Sequence, residues 1–303
     1  MEFGKLSEIE NIDFSLPADA IRNGRMLKEK GNQDPTKIYV GMARWGERKL
    51  VGRLYPKATP SKDYLYHYSR QFNTIEMNTT HYRIPTKDMV AHWLDKSTDT
   101  FKFCPKIPQI ISHSADYGAH AQAVEAFYQA LYAFGSQLGL PFMQLPPTLE
   151  PFRQGKAFFD FLSQWPHDLP LAIELRHPAW FNDERIRERA YDLLEEYQLS
   201  TVITDTAGRR DVIHMQLTFP SVMVRFVGNS LHSTDYSRID EWVKRLGVWL
   251  SQGLDELYFI VHQPEDLLCI DLAIYFIQRM NEKYQLNIPL PKLLSEGVQQ
   301  SLF

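Results

Sequence analysis

Glu174, Arg176 and His177 close a short apolar run, LAIEL (residues 171–175), before Pro178 stops it. A buried strand with this ending supplies a carboxylate, a fixed positive charge and an imidazole that titrates near neutrality. Those are the groups that acid–base chemistry uses. The pattern recurs along the chain. NTIEMN (73–78) carries Glu76 and Asn78, with Tyr82 just beyond. FKFCPK (101–106) ends in Lys106, and LPFMQL (140–145) carries Gln144. STVITD (200–205) ends in Asp205, SVMVRF (221–226) carries Arg225, and LYFIVH (257–262) ends in His262. IYVGMA (38–43) is followed by Arg44 and Trp45. Buried charges are costly unless paired, so polar groups at the end of every apolar run are hard to attribute to packing alone. Pairs such as Arg176 with Glu174, or Arg225 with Asp205, could still do no more than tie those ends together.

Roles follow from residue type. Glu76, Glu174, His177 and Lys106 are the candidate catalytic groups. Asn78, Tyr82, Gln144, Arg176, Arg225, Trp45, Arg44 and His262 are the candidate substrate contacts. Cations converging on one place suit a small anionic ligand such as a phosphate or carboxylate. The loop VGNSLHSTDY, with Gly228, Asn229, Ser230 and Ser233, is a candidate phosphate turn. No cofactor is expected. A divalent metal on Glu76, Glu174, Asp205 and His262, or zinc with His177, is the secondary reading, because Lys106 and Arg176 would compete for those carboxylates. No GxSxG motif is present. Cys104 and Cys269 lie in apolar runs and read as buried reduced thiols of a cytoplasmic protein.

The elements that must position these residues are eight near-continuous apolar runs, mostly alternating with helical patterns. The helices are expected near 60–72, 86–96 with Thr86 as cap, 119–134, 155–165, 183–197 capped by Asn182 or Asp183, 235–250 and 265–283. Between runs six and seven only a short turn of helix fits. Apolar strands separated by amphipathic helices indicate a parallel sheet covered by helices, and eight such units indicate a (β/α)8 TIM barrel. A doubly wound sheet is the alternative, but no GxGxxG or GxxxxGK[ST] follows the first run. One domain is expected: an N-terminal extension (1–36) on the outside with one short helix, the barrel (37–283) and a C-terminal tail (284–303). In such a barrel chemistry sits at the C-terminal strand ends. Glu174 and Arg176 are two apart, so both point into that mouth to meet Glu76, Lys106 and Gln144, while His177 sits on the rim.

Composition sets outer limits. The net charge is −4, so bulk charge gives no nucleic-acid footprint. No apolar run approaches the ~20 residues of a membrane helix, and MEFGKLSEIENIDF lacks the apolar core of a signal peptide.

Five ordered motifs, IYVGMARWG, FNTIEMNTTHYRIPT, FKFCPKIPQIISH, FMQLPPTL and IELRHPAWF, resemble the DUF72 (YecE-like) family over about residues 38–281. The resemblance implies a TIM barrel and brings no settled activity. It carries family positions onto Glu76, Asn78, Tyr82, Lys106, Gln144, Glu174, Arg176 and His177. Three strand ends depart from the family pattern: Ala43-Arg44-Trp45 where Ser-Gly-Trp is common, Val227-Gly228 where His-Gly is usual, and His262-Gln263 in place of an Asn-rich turn.

The chain closes on GVQQSLF, which resembles the peptide by which bacterial polymerases and repair proteins bind the sliding clamp. Leu302 and Phe303 would enter an apolar pocket and Gln299 would bond beside it. Three functions are therefore expected in order. The first is a cytoplasmic enzyme, a hydrolase or an isomerase or lyase, acting on an anionic substrate. The second is a DNA-repair nuclease or accessory protein recruited to the clamp, and the third a non-catalytic ligand-binding barrel.

Overall fold

The computed structural model describes residues 4, 6, 8–32 and 34–294. A helix α1 (Ile21–Lys30) precedes the first strand β1 (Lys37–Met42). Then follow α2 (Tyr64–Tyr68), β2 (Thr74–Met77), α3 (Thr79–Tyr82), α4 (Lys87–Lys96) and β3 (Lys102–Pro105). Next come α5 (Gln109–Ser112), α6 (Ala121–Ala133), β4 (Phe142–Gln144), α7 (Pro151–Leu162), β5 (Ala172–Glu174), α8 (Ala179–Asn182) and α9 (Glu184–Glu196). The chain continues through β6 (Ser200–Asp205), β7 (Ser221–Val227), α10 (Ser233–Gln252), β8 (Glu256–His262) and α11 (Asp266–Tyr284). Thr86 caps α4 by accepting from the Met89 amide, and Asp183 caps α9 by accepting from Arg185 and Ile186. The helix expected from residue 155 starts at Pro151, whose missing N–H costs nothing in a first turn. The helix expected over 60–72 is shorter, a 3₁₀ turn at Ser61–Asp63 running into α2.

The eight strands are parallel in the order β3-β2-β1-β8-β7-β6-β5-β4. Between β3 and β4 the ladder thins to the isolated bridges Phe103 with Leu138 and Lys106 with Phe142, with Ile107 N–H donating to the Phe142 carbonyl at 2.9 Å. This is the (β/α)8 TIM barrel, nearly closed. Period-2 alternation sorts its side chains. Tyr39, Cys104, Leu140, Phe142, Ala172, Val202, Met223, Tyr258 and Ile260 form one buried apolar cluster inside the sheet. Two larger apolar clusters lie between strands and helices. Gly41 sits where β1 meets β2 tightly: a Cβ there would lie 2.1 Å from the Thr74 carbonyl oxygen. Both cysteines are buried and free, as expected. Among the described residues no helix is long and apolar enough to cross a membrane.

The N-terminal segment carries one short helix and packs against the outer elements of the barrel. The β6–β7 connection has only a 3₁₀ turn at Ala207–Val212 before extended chain, so the outer ring lacks a helix there. Helix α1 fills the gap. The Asn23 side chain donates to the Met215 carbonyl at 2.7 Å and accepts from the Leu217 amide at 3.0 Å. Arg22 pairs with Glu188 and Asp192 of α9. On the other side, Arg245 and Trp249 of α10 donate to Asp19 at 2.7 and 3.0 Å. The extension thus stands where the outer ring lacks a crossover helix.

Candidate active site at the C-terminal mouth

Six strands raise a polar residue two positions beyond an apolar interior one: Cys104 then Lys106, Phe142 then Gln144, Ala172 then Glu174, Val202 then Thr204, Met223 then Arg225, and Ile260 then His262. The polar layer therefore lies directly above the apolar one. At its centre stands Arg225, fully buried. It grips Glu76 with two bonds, Nε to Oε2 at 2.8 Å and Nη2 to Oε1 at 2.9 Å, and reaches Glu174 Oε2 through Nη1 at 3.1 Å. This is fork recognition of one carboxylate with a second on the remaining side.

The carboxylates have further partners. Asn78 donates to Glu76 Oε1 at 2.9 Å, and His262 donates Nε2–H to Glu76 Oε2 at 3.0 Å. Gln144 donates to Glu174 Oε2 at 2.7 Å and Thr204 to Oε1 at 2.9 Å, while Arg176 Nε lies 3.7 Å from that same Oε1. Gln144 also accepts from the Lys106 ammonium at 2.8 Å. Phe142 floors the cluster, with the Arg225 guanidinium 5.5 Å and the Lys106 nitrogen 6.0 Å from its ring centre.

Electrostatics separate the acids from the lysine. Burial alone would raise both carboxyls, but Arg225 overcomes it, helped by His262 at Glu76 and by Arg176 at Glu174. Glu76 is held well below the ordinary carboxylate range and Glu174 below it. Neither suits a general acid. Lys106 goes the other way: burial and then the Arg225 charge lower it to about 8. Lys106, Arg176 and Arg225 all face this pair of carboxylates.

The mouth gathers Glu76, Asn78, Lys106, Gln144, Glu174, Arg176, Arg225 and His262, and leaves out four expected residues. Arg44 is exposed and pairs with Glu47 and Asp266, each at 3.4 Å. Trp45 packs toward the helices, edge-on to Trp93 at 6.3 Å between ring centres. Tyr82 is 80% exposed at the end of α3, with its ring edge-on to His81. His177 is half-buried on the rim as expected, but its Nδ1 accepts from the Ala179 amide at 3.1 Å instead of joining the cluster. Asp205 also leaves. It faces outward, where Arg210, Arg238 and the Trp242 indole bond it, so it pairs with those and not with Arg225. Among the described residues no three His, Cys, Asp or Glu side chains are placed to hold a metal ion. The phosphate-turn reading of Gly228–Ser230 fails on its amides. All three are spent within the protein, on the His262 carbonyl, Asp235 and Gln263.

Two groups escape a reading of the sequence. Thr204 is hidden by parity: the last residue of STVITD is Asp205, but alternation puts the residue before it inside. His81, whose Nδ1 meets the Ile107 carbonyl at 2.9 Å, stacks edge-on to His113 at 5.4 Å between ring centres. Burial and then Lys106 and Arg176 lower His113, so it lies in the field of the mouth. Only its position in the PQIISH motif signals it. Gln299, Leu302 and Phe303 lie outside the described residues.

Comparison with known proteins agrees with this architecture. Two solved DUF72 family proteins superpose on it. One, from Enterococcus faecalis V583, has TM-score 0.65 at 21% identity and covers 84% of this chain and 100% of its own. The other, from Thermotoga maritima MSB8, has TM-score 0.62 at 19% identity and covers 82% and 100%. The UPF0759 protein YecE of Escherichia coli K12 is 28% identical over 246 residues, 75% of this chain and 87% of that protein. The UPF0759 protein YunF of Bacillus subtilis 168 is 26% identical over 151 residues, 48% of this chain and 52% of its own. A family model described as "Protein of unknown function DUF72" matches residues 39–295, and the chain belongs to that family.

Proposed function

We propose that this protein is a cytoplasmic enzyme that takes a small phosphate- or carboxylate-bearing substrate at the C-terminal mouth of the barrel, with Lys106 as its proton-transfer group. One observation carries the reading. The Lys106 ammonium is buried at the mouth, and it donates there to the neutral Gln144 oxygen, not to a carboxylate. A buried cation held this way is stabilised by an arriving anion. Because it titrates at about 8, it binds as an ammonium below that pH and offers a free amine just above it. Glu76 and Glu174, locked to Arg225, act as fixed charges that orient substrate and Lys106; they do not carry the proton. His262, seated on Glu76, is the second group placed to donate.

A thermal-shift series with sulfate, phosphate and a panel of phosphorylated and carboxylated metabolites tests this on wild type, Lys106→Met and Glu174→Gln. Anions should raise the wild-type Tm, and Lys106→Met should abolish the rise. A shift that survives in Lys106→Met sinks the assignment. Saturable binding with no turnover of any metabolite leaves the ligand-binding barrel as the better reading.

The clamp-directed role is a separate proposal resting on Gln299, Leu302 and Phe303. It is tested by binding of a GVQQSLF peptide to the clamp against a double Ala control at Leu302 and Phe303. Equal binding of both peptides would end it.

A further inference from the structure

A cavity of about 600 Å³ lies away from the mouth, where α1 fills the gap in the outer ring incompletely. Residues 17–22 form one wall. Phe181, Arg187, His214 and Gln216 contribute to the others. The volume is that of a small-molecule pocket. The family match begins at residue 39, so the wall at 17–22 lies outside it.

The side chains around it make a specific demand. Gln216 is only 8% exposed, and its Oε1 is buried with no hydrogen-bond partner. A sealed, unsatisfied carboxamide oxygen is a defect that native proteins avoid unless something else uses it. Gln216 is one of the residues that line the cavity, so its orphaned oxygen belongs to the cavity wall. Phe181 is half-buried and stacks on His214 with ring centres 5.8 Å apart and planes 20° from parallel. His214 is held in place by the Gln216 amide, which donates to its Nδ1 at 3.2 Å. The charges at the rim answer one another: Arg22 pairs with Glu188 and Asp192, and Arg187 with Glu188. What remains for a ligand is an aromatic wall, the amide edge and the Nε–H of Arg22, which is buried without a hydrogen-bond partner.

We propose that this cavity is a second binding site, for a neutral planar heteroaromatic molecule that presents a hydrogen-bond donor and acceptor side by side to the Gln216 carboxamide while its ring lies against Phe181. A purine base and a ring carboxamide share that chemistry. A carboxamide pairs with such an edge through two bonds, as Gln does with adenine. The site is independent of the reading of the mouth: it uses none of the same residues.

Ligand-observed NMR titrations of adenine and of nicotinamide against the full-length protein test it and separate the two sources. At least one should bind saturably. Gln216→Leu should weaken that binding by ~10-fold or more, the worth of one bidentate pair. Phe181→Ala should weaken it as well, and Lys106→Met should leave it unchanged. Gln216→Leu removes a buried polar group without a partner, so the melting temperature should hold or rise, which shows that lost binding is not lost folding. Failure of both probes to saturate overturns the site. So does equal binding by wild type and a folded Gln216→Leu.

Discussion

Among the described residues, the barrel mouth and the back of the sheet each hold a buried ion cluster built from the same parts, and the two differ in their surroundings. At the mouth, Arg225 holds Glu76 and Glu174. Behind the sheet, Asp205 is held by Arg210, Arg238 and the Trp242 indole. Both keep their carboxylates ionised, because the guanidinium charges overcome the burial that would raise them. The difference is in what surrounds the pairs. The Asp205 cluster is closed by Phe14, whose ring lies 4.7 Å from the Arg238 guanidinium, and by Arg210 donating to the Phe14 and Ser15 carbonyls. These contacts tie the N-terminal segment, the turn after β6 and α10 to β6. The mouth cluster instead borders Lys106, a buried ammonium that donates to the neutral Gln144 oxygen and not to a carboxylate. Salt bridges are common to both; the buried Lys106, lowered by burial and by Arg225, is what sets the mouth apart.

Removing the central arginine of each cluster should separate these roles. Arg225→Met strands two carboxylates at once and should cost ~3–5 kcal/mol, the scale for breaking a buried pair, read as a fall in denaturation midpoint. Arg238→Met leaves Asp205 with Arg210 and Trp242, so the loss should be smaller, ~1–3 kcal/mol. Sulfate binding by the Arg238→Met protein should stay as in wild type. If Arg238→Met instead abolished sulfate binding, the two clusters could not be functionally distinct.

The same contrast shows what the sequence makes legible. Eight apolar runs with helical patterns between them locate every strand within a few residues, because parallel barrel strands are buried on both faces and carry continuous apolar signal. The mouth is legible where charge sits on the inner parity: Glu76, Lys106, Gln144, Glu174, Arg225 and His262. It is misread where the last polar residue of a run is taken without its parity. Asp205 is one residue past Thr204, and one residue flips a side chain to the other face. Residues past the strand ends are hardest. Arg44, Trp45 and Tyr82 lie where no strand period fixes direction: Arg44 pairs with Glu47 and Asp266, Trp45 packs on Trp93, and Tyr82 is exposed at the end of α3. The role of α1 is invisible in one dimension, since a missing crossover helix at 207–220 and a helix near residue 21 are related only in space.

Lys106→Met removes charge but not shape. A buried cation replaced by an apolar side chain of similar size is near neutral or stabilising, so the midpoint should move by no more than ~1 kcal/mol. Anion-dependent stabilisation should nonetheless vanish. A large loss of stability would mean that Lys106 is a strut like Arg238, and the distinction between the clusters would weaken.

The finest test is pH. Lys106 titrates at about 8 because burial and Arg225 disfavour its charged form. The ammonium binds anions and the amine does not, so sulfate affinity should be level below that pH and fall above it. The limit is ~tenfold per pH unit, the slope of a single proton. Glu76 and Glu174 stay ionised throughout, since both are lowered, and so cannot produce the fall. Sulfate is a dianion over the whole range, so the ligand does not contribute. Lys106→Arg keeps the charge at every pH in the window, because a guanidinium does not titrate there. Its profile should be flat above pH 8 if it binds at all. A wild-type profile that stays flat from pH 7 to 9.5 would place the anion on Arg176 and Arg225 alone, making Lys106 a neighbour of the site and not its working group.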